Sequence, residues 1–368
     1  MSKRNSSNSP WIPWMDRALQ LASLAEGDTS PNPLVGAIVL DQEGVLIGEG
    51  FHAGAGRAHA EIQAFAQAGS KARGGTLVVT LEPCCHHGKT PPCTDAVLNS
   101  GVKRVVVAMK DPDPRVSGEG LKLLRDSGLE VITGVLEAEA AFQNRDFIFR
   151  VRNGRPWGIL KWAMSLDGRI ALPNGESQWI SNQDARNNVY QLRSKCDAVI
   201  IGGGTLRKDN PLLTSRGIAD PEPLRVVLTQ KLDLPLNSQL WDTSVSRTLI
   251  ACGIQNDEKI LRKIPIGPEL VQLETCNPIN LLEALVEKNC NRVLWECGPV
   301  LASLAIQQGC VQELVVILSP KLLGGEPVRT PLAQLGFSRM DQALVTKTHS
   351  LENLGDNWII KAQIPMDN

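Results

Sequence analysis

Two blocks of alternating elements follow one another along this chain. Residues 15–25 place apolar side chains at Leu19, Leu21, Ala22 and Leu24 and run into Glu26-Gly27, which predicts a helix closed by a glycine. Pro31-Asn32-Pro33 then leads into the apolar run 34–40, read as a loop entering a buried strand. Residues 41–44 are a turn and 45–50 the partner strand, with Gly36, Gly50 and Phe51-His52 placed to bring backbone close to a ligand. Residues 59–68 are helical in composition, and 76–81 form a strand that leads directly into Glu82-Pro83-Cys84. Pro92 stands at the first turn of another helix. Residues 104–109 and 130–133 are strands with a helix at 120–127 between them. This alternation predicts a three-layer α/β domain whose later strands are largely parallel.

Residues 136–151 keep helical spacing, and Arg150-Val151-Arg152-Asn153-Gly154-Arg155-Pro156 has no apolar period, which marks a connector. Two domains are therefore expected, 12–150 and 156–365. The second opens at Trp157 as a strand, predicted over 157–170, that contains Lys161. A lysine inside an apolar strand is seldom buried without a partner, so Lys161 is expected to face a cleft. Residues 196–201 predict a buried strand running into the turn Gly202-Gly203-Gly204-Thr205. Residues 293–296 predict a second, followed by Cys297 and a glycine-led helix start at Gly298-Pro299-Val300-Leu301. Backbone amides at such places approach phosphates closely, and the pair suggests a dinucleotide held at the carboxyl ends of adjacent strands. No G-x-G-x-x-G follows a strand, so the ordinary Rossmann fingerprint is absent. Residues 314–318 and 358–362 read as closing strands.

The length of 368 residues exceeds what a single core usually holds, in agreement with two domains. A net charge of -1 without a long Lys/Arg run argues against a nucleic-acid partner and for a small nucleotide-like molecule. Nine cysteines, an odd number dispersed along the chain, do not suggest a disulfide framework, so a reducing, cytoplasmic compartment is expected. The polar first ten residues lack an apolar signal core, and no stretch has the length of a membrane span.

Three of the cysteines and four of the five histidines fall between His52 and Cys93. Within that window His59-Ala60-Glu61 is followed by Pro83-Cys84-Cys85-His86-His87-Gly88-Lys89-Thr90-Pro91-Pro92-Cys93. His59 and the cysteines offer three ligands to a tetrahedral metal, with Glu61 left to carry protons, the composition of a catalytic zinc site with one open position. H-x-E followed by P-C and a later Cys is the zinc-deaminase signature, although here the two cysteines are nine positions apart instead of three. The alternative is a structural zinc closed by Cys85, His86 or His87. Short C-x(2–4)-C knuckles are absent, however, and that site would leave Glu61 without a role. The same ligands could in principle hold iron.

The His59 and Cys84–Cys93 motifs, Pro31 to Gly36, and Asp111-Pro112-Asp113-Pro114 resemble the bifunctional deaminase–reductase family of riboflavin biosynthesis. So do Lys161 to Gly168, Gly175 to Ile180, Gly204-Thr205, Asp209 to Arg216 and Glu296 to Pro299, and the likeness runs from about Trp14 to Ile364. It implies a cytidine-deaminase-like domain followed by a dihydrofolate-reductase-like domain, using Zn2+ and NADPH. Zinc would be held by His59, Cys84 and Cys93, with Glu61 catalytic. Cofactor contacts would come from Ala163, Trp179, Thr205, Asp209, Gly298, Pro299, Val300 and Leu301, and substrate contacts from Ser177, Arg193, Leu213, Arg216 and Glu296. Arg193 and Arg216 make physical sense as a fork on a ribose phosphate. Lys161, Asp209 and Glu296 are the candidates to position or protonate the sugar. His86, His87 and Lys89 are candidate phosphate-side loop residues. Cys85 replaces a common serine and is a possible stray ligand. Gln230 and Lys231 depart from the family pattern; Lys231 could meet a 2′-phosphate or lie on a solvated turn. A homo-oligomer is expected. The other readings are a nucleic-acid-editing deaminase, and a deaminase-only homologue with a non-catalytic second domain.

Overall fold

Short β-branched runs set the strands of the first unit: β1 Gly36–Leu40, β2 Leu46–Phe51, β3 Thr76–Leu81, β4 Arg104–Met109 and β5 Glu130–Thr133. The computed structural model describes residues 9–86, 91–114, 116–254, 264 and 266–365, and the chain divides between Gly154 and Arg155. The first sheet has the order β2-β1-β3-β4-β5. β1 is antiparallel to β2 and β3, whereas β3, β4 and β5 run parallel. β1 and β3 are buried at every position, as strands covered on both faces must be.

Alternate strand residues divide into two cores. Ile38, Leu40, Val78 and Val106 pack with Met15, Ala18 and Leu19 of helix α1 (Ile12–Ser23) and with Ala140 of α5 (Glu137–Gln143). Ala37, Val39, Leu77 and Val105 pack instead with Ala60, Ala64 and Ala68 of α2 (Ala60–Ala68), Val97 of α3 (Cys93–Ser100) and Leu121 and Leu124 of α4 (Glu119–Asp126). This is a three-layer α/β unit. α2 lies directly on β2 because two strand positions lack a side chain. A Cβ on Gly48 would stand 2.1 Å from the Ala64 carbonyl oxygen, and one on Gly50 would stand 2.3 Å from that of Ala60.

Three local expectations are corrected here. The first helix begins at Ile12 and ends at Ser23, not at 25, with a proline in its first turn. The single helix expected over 136–151 is two, α5 and α6 (Arg145–Asn153), with Asn144 between them. The Asn144 side chain explains the break: it accepts from Leu34 N at 2.8 Å and donates to Leu34 O at 2.9 Å, a buried link to the β1 approach that a continuous exposed helix would not make. Pro92 is the N-cap of α3 and Cys93 its first helical residue.

The second unit has β6 Trp157–Ser165, β7 Ala198–Gly202, β8 Leu224–Thr229, β9 Thr248–Gly253, β10 Glu269–Leu273, β11 Arg292–Trp295, β12 Glu313–Ser319, β13 Lys347–Leu354 and β14 Asn357–Gln363. Their order is β10-β9-β8-β7-β11-β6-β12-β14-β13. The first seven in that order run parallel, and β14 and β13 close the sheet antiparallel. β6 stops at Ser165, short of the expected 170, because Gly168 N donates back to Ser165 O at 2.9 Å with Gly168 at φ 76, a tight turn that leaves the sheet. Among the described residues the α-helices are α7 Gln183–Ser194, α8 Gly203–Asp209, α9 Pro278–Val286 and α10 Pro299–Gln307. β11 enters between β6 and β7, so the chain direction of the strand order reverses there. That is where an open parallel sheet offers a crevice at its carboxyl edge.

Because α2 carries the residues that flank Glu61, its seating on β2 is testable. Gly50→Ala should destabilise the first unit by about 2–3 kcal/mol, since the helix backbone has to move away from the added carbon. Urea unfolding monitored in the two units should show the loss in the first unit and leave the second unchanged.

Candidate active sites

Three elements of the first unit converge on one cluster. His59 is the N-cap of α2, with extended backbone, so Glu61 falls in the first helical turn. Cys84 lies three residues beyond β3, and Cys93 begins α3. Cys93 N donates to Cys84 Sγ at 3.3 Å and Thr94 N to Cys84 O at 3.1 Å, so the start of α3 holds the loop that leaves β3. His59 Nδ1 is 3.1 Å from Cys93 Sγ and 3.7 Å from Cys84 Sγ. The three donor atoms lie within 4.8 Å of one another. A tetrahedral zinc with its usual bond lengths puts sulfur and nitrogen about 3.5 Å apart, so this set fits the ion.

The electrostatics point the same way. Cys93 donates to Cys84, which brings the Cys84 thiol down to about 4, and the same hydrogen bond together with burial pushes Cys93 up. A divalent ion between the two sulfurs is what would allow both to be thiolates. Glu61 is 3% exposed, and burial pushes its carboxyl up. Cys85 is half-buried and is not part of the metal-competent cluster among the described residues. His86 is exposed, and His87 and Lys89 lie outside the described residues.

Two contributors were not singled out for their side chains in the sequence. The buried His52 ring stands edge-on to His59 with centroids 5.4 Å apart. Its Nε2 is 3.0 Å from Asn32 Nδ2 and its Nδ1 faces Ala58 O at 3.4 Å, which fits an Nδ1–H tautomer receiving the Asn32 amide hydrogen. Burial lowers the His52 pKa. The signal in the sequence was a histidine beside a strand-end glycine and an asparagine between two prolines. The other is Glu82, whose buried carboxylate goes to backbone N–H groups.

In the second unit, Lys161 on β6 meets Glu296, the residue after β11, at 3.7 Å. Arg193 of α7 grips the same carboxylate at 2.6 and 3.1 Å and also donates to Thr214 O at 2.9 Å. Arg193 is thus paired with Glu296, and Arg216 stands exposed with its guanidinium carbon 5.7 Å from the Tyr190 ring centroid. Leu213 and Arg216 have φ values of 57 and 63, and Asn210 has 38, so the segment after α8 holds three non-glycine residues in left-handed backbone. Glu222 supports that segment by accepting from Ser215 N at 2.5 Å and Gly217 N at 2.7 Å.

The two glycine-bearing turns are neighbours. Gly203 begins α8, so the stretch expected as a turn is already helical, and Gly298 is the N-cap of α10. A Cβ on Gly298 would come 3.8 Å from Thr205 Oγ1, and one on Gly202 would come 3.4 Å from a Leu301 methyl. Gly204 and Gly298 thus leave room for a ligand to approach backbone, which fits a dinucleotide. Ala163 is two residues from Lys161 and so on the same strand face. Pro299 and the 77% exposed Val300 open α10. Trp179 is 62% exposed beneath the Arg186 guanidinium, 4.5 Å from its ring centroid, with Ser177 half-buried nearby in sequence. Asp209 ends α8 at the surface, and Gln230 and Lys231 lie on an exposed turn.

Arg193 and Lys161 offset the burial of Glu296 and hold it down from 4.5 to about 2, while burial pushes Lys161 down. The unfolded chain protonates Glu296 near 4.5, whereas the folded chain keeps it ionised to about 2. The stabilisation, on the order of 3 kcal/mol before the cost of burying Lys161 is subtracted, is present above pH 4.5 and lost as pH falls toward 2. Glu296→Gln should therefore be less stable at pH 7, having left two buried cations without their carboxylate. Its urea midpoint should also fall less steeply between pH 5 and 3 than that of the wild type.

Residues 12–109 match the cytidine and deoxycytidylate deaminase zinc-binding region, and residues 156–360 match the RibD C-terminal domain. The riboflavin biosynthesis protein RibD of Synechocystis is 46% identical over 346 residues, covering 94% of each chain. The Escherichia coli RibD protein is 39% identical over 328 residues, 85% of this chain and 88% of its own. Among solved structures, RibD of Acinetobacter baumannii superposes with a TM-score of 0.87 at 35% identity, covering 96% of this chain and 99% of that one. The Thermotoga maritima diaminohydroxyphosphoribosylaminopyrimidine deaminase/5-amino-6-(5-phosphoribosylamino)uracil reductase gives the same score, identity and coverage. With a zinc-fitted deaminase unit followed by a reductase unit, both matched along nearly their full length, the chain belongs to the RibD family of riboflavin biosynthesis proteins.

Proposed function

We propose that the chain carries out two consecutive steps of riboflavin biosynthesis on a phosphoribosyl-pyrimidine. The first unit hydrolyses the amine at carbon 2 of 2,5-diamino-6-ribosylamino-4(3H)-pyrimidinone 5′-phosphate, and the second reduces the ribosyl side chain to ribityl. The observation that carries the reading is the convergence of His59, Cys84 and Cys93, with Glu61 in the adjoining helical turn. The deaminase-only alternative is set aside because the relatives match along both units. The partner is a small molecule, and the chain works as a homo-oligomer in a cytoplasmic setting.

In the first site His59, Cys84 and Cys93 would hold a zinc ion, which would supply Lewis-acid activation of water. Glu61 takes a proton from that water and returns it to the departing amine, so that ammonia leaves and a ring carbonyl remains. The Asn32–His52 pair backs the His59 ring from the edge and fixes the side of the pocket it faces.

In the second site a bound NADPH would supply the hydride for carbon 1 of the ribosyl group. Lys161, Glu296 and Asp209 now separate by environment. Glu296 is kept as a carboxylate by two cations and has no proton to give. Asp209 sits at the far end of α8. Lys161, buried and with burial favouring release of its proton, protonates the sugar ring oxygen as its bond to carbon 1 opens. Arg193 and Glu296 orient it and tie it to the segment bearing Leu213 and Arg216.

A coupled assay on metal-analysed protein tests both sites. Wild type given the diaminopyrimidine should release ammonia and oxidise NADPH. Glu61→Gln should lose ammonia release yet oxidise NADPH when supplied with the deaminated intermediate, and Lys161→Gln should do the reverse, each losing at least ~100-fold in its own step. Ammonia release without any NADPH oxidation in wild type would remove the reductase half of the proposal.

Oligomerisation has its own support. Residues 321–349 are almost entirely exposed, with Leu322 at 75%, Met340 at 90% and Val345 at 79%, more apolar surface than a free arm usually leaves in water. Light scattering at micromolar concentration should give a mass of at least twice 39.9 kDa. A mass of one chain would remove this part.

A further inference from the structure

We propose that Glu82 is a positioning residue for deamination, locking the loop that carries Cys84 to the loop and helix that follow β4; the inference rests on the deaminase reading of the first unit. Glu82 is 3% exposed and lies between the end of β3 and the ligand Cys84. Buried carboxylates normally face a cation or a metal. Here the carboxylate is met by backbone. Oε2 accepts from Gly118 N at 2.9 Å and Asp111 N at 3.2 Å, and Oε1 accepts from Leu121 N at 3.2 Å. Glu82 N in turn donates to Met109 O at 3.0 Å.

These bonds have a geometric consequence. Gly118 is the N-cap of α4 and Leu121 lies in its first turn, so one carboxylate satisfies helix donors that no side chain of the cap itself reaches. Asp111 opens the turn in which its own carboxylate accepts from Asp113 N at 2.8 Å. A second contact adjoins the first: a Cβ on Gly120 would stand 2.4 Å from Pro83 O and 3.2 Å from Glu82 Oε1, so α4 rests directly on Glu82 and on the residue preceding Cys84. Two loops at the carboxyl ends of adjacent parallel strands are thereby joined at one buried side chain, on the edge of the sheet where the metal-competent cluster lies. Glutamine cannot replace it. An amide has one acceptor oxygen where three N–H groups need two, and its NH2 would face a donor.

The test uses the full chain, whose second unit is an internal control for the amount of folded protein. Glu82→Gln should keep wild-type zinc content and a wild-type rate of NADPH oxidation on the deaminated intermediate. Its deamination kcat/KM should fall 10- to 100-fold, mostly through KM, and the amides of Asp111, Gly118 and Leu121 should exchange hydrogen faster. Glu82→Asp should recover part of the loss. Gly120→Ala puts a better helix former into α4 yet should give the same kinetic signature, because its methyl meets Pro83 O. If Glu82→Gln does not accumulate folded, the aspartate and Gly120→Ala variants decide by the same readouts. Wild-type KM and kcat in the variants would overturn the proposal, as would loss of deamination only in step with loss of zinc. A wild type that itself released no ammonia would overturn the deaminase reading and this inference with it, an outcome distinct from an active wild type with an equally active variant.

Discussion

The first unit depends on one close approach. At Gly48 and Gly50 the strand has no side chains, and the backbone of α2 descends onto the sheet to a distance that a single Cβ would forbid. The N-terminal turn of α2 carries His59 at its cap and Glu61 just inside, so the depth of that helix sets where a ligand and a proton carrier stand relative to the cysteines. The opposite side of the cluster is fixed by hydrogen bonds rather than packing. Cys93 N and Thr94 N reach back to Cys84, and Glu82 gathers three amides of the next loop and helix. A metal site needs its ligands held to a few tenths of an ångström, and helix starts and buried acceptors achieve this better than free loops do.

The second unit solves a different problem with charge. Lys161 and Arg193 are both largely removed from water, and each would be costly alone. Glu296 stands between them, and the bidentate Arg193 contact gives the carboxylate a fixed plane. Arg193 extends the link to Thr214, inside the segment whose backbone is left-handed at Asn210, Leu213 and Arg216. Such backbone persists only where neighbours over-determine it. Glu222, bonded to Ser215 and Gly217, supplies part of that determination. Lys161, Glu296 and Arg193 therefore form a triad that couples the lysine of β6 to a shaped loop.

Local elements and the ligand set were legible in the residues themselves. Strands β3, β4 and β5 lie within the expected limits because short β-branched runs between turn residues have few alternatives. His59, Glu61, Cys84 and Cys93 were legible because zinc deamination needs those residue types in that order. What the chain does with Asn144, Arg193 and Glu82 was not legible. Each has its partner far away in sequence: Leu34 for Asn144, Glu296 for Arg193, and Asp111 to Leu121 for Glu82. Helical spacing across 136–151 hid the break at Asn144, and nothing near Arg193 in the sequence pointed to Glu296 as its partner.

By itself, then, the sequence determined the two-block α/β organisation, the catalytic metal chemistry and the glycine-rich turns, since periodicity and ligand type are local properties of the chain. Only the tertiary structure decided which groups remain free to act. A buried polar side chain takes whatever partner the packing brings within hydrogen-bond distance, and that pairing holds Glu296 below the usual carboxylate range and makes Glu82 a junction of loops. It also set Lys161 beside that anion, with burial pushing the lysine down.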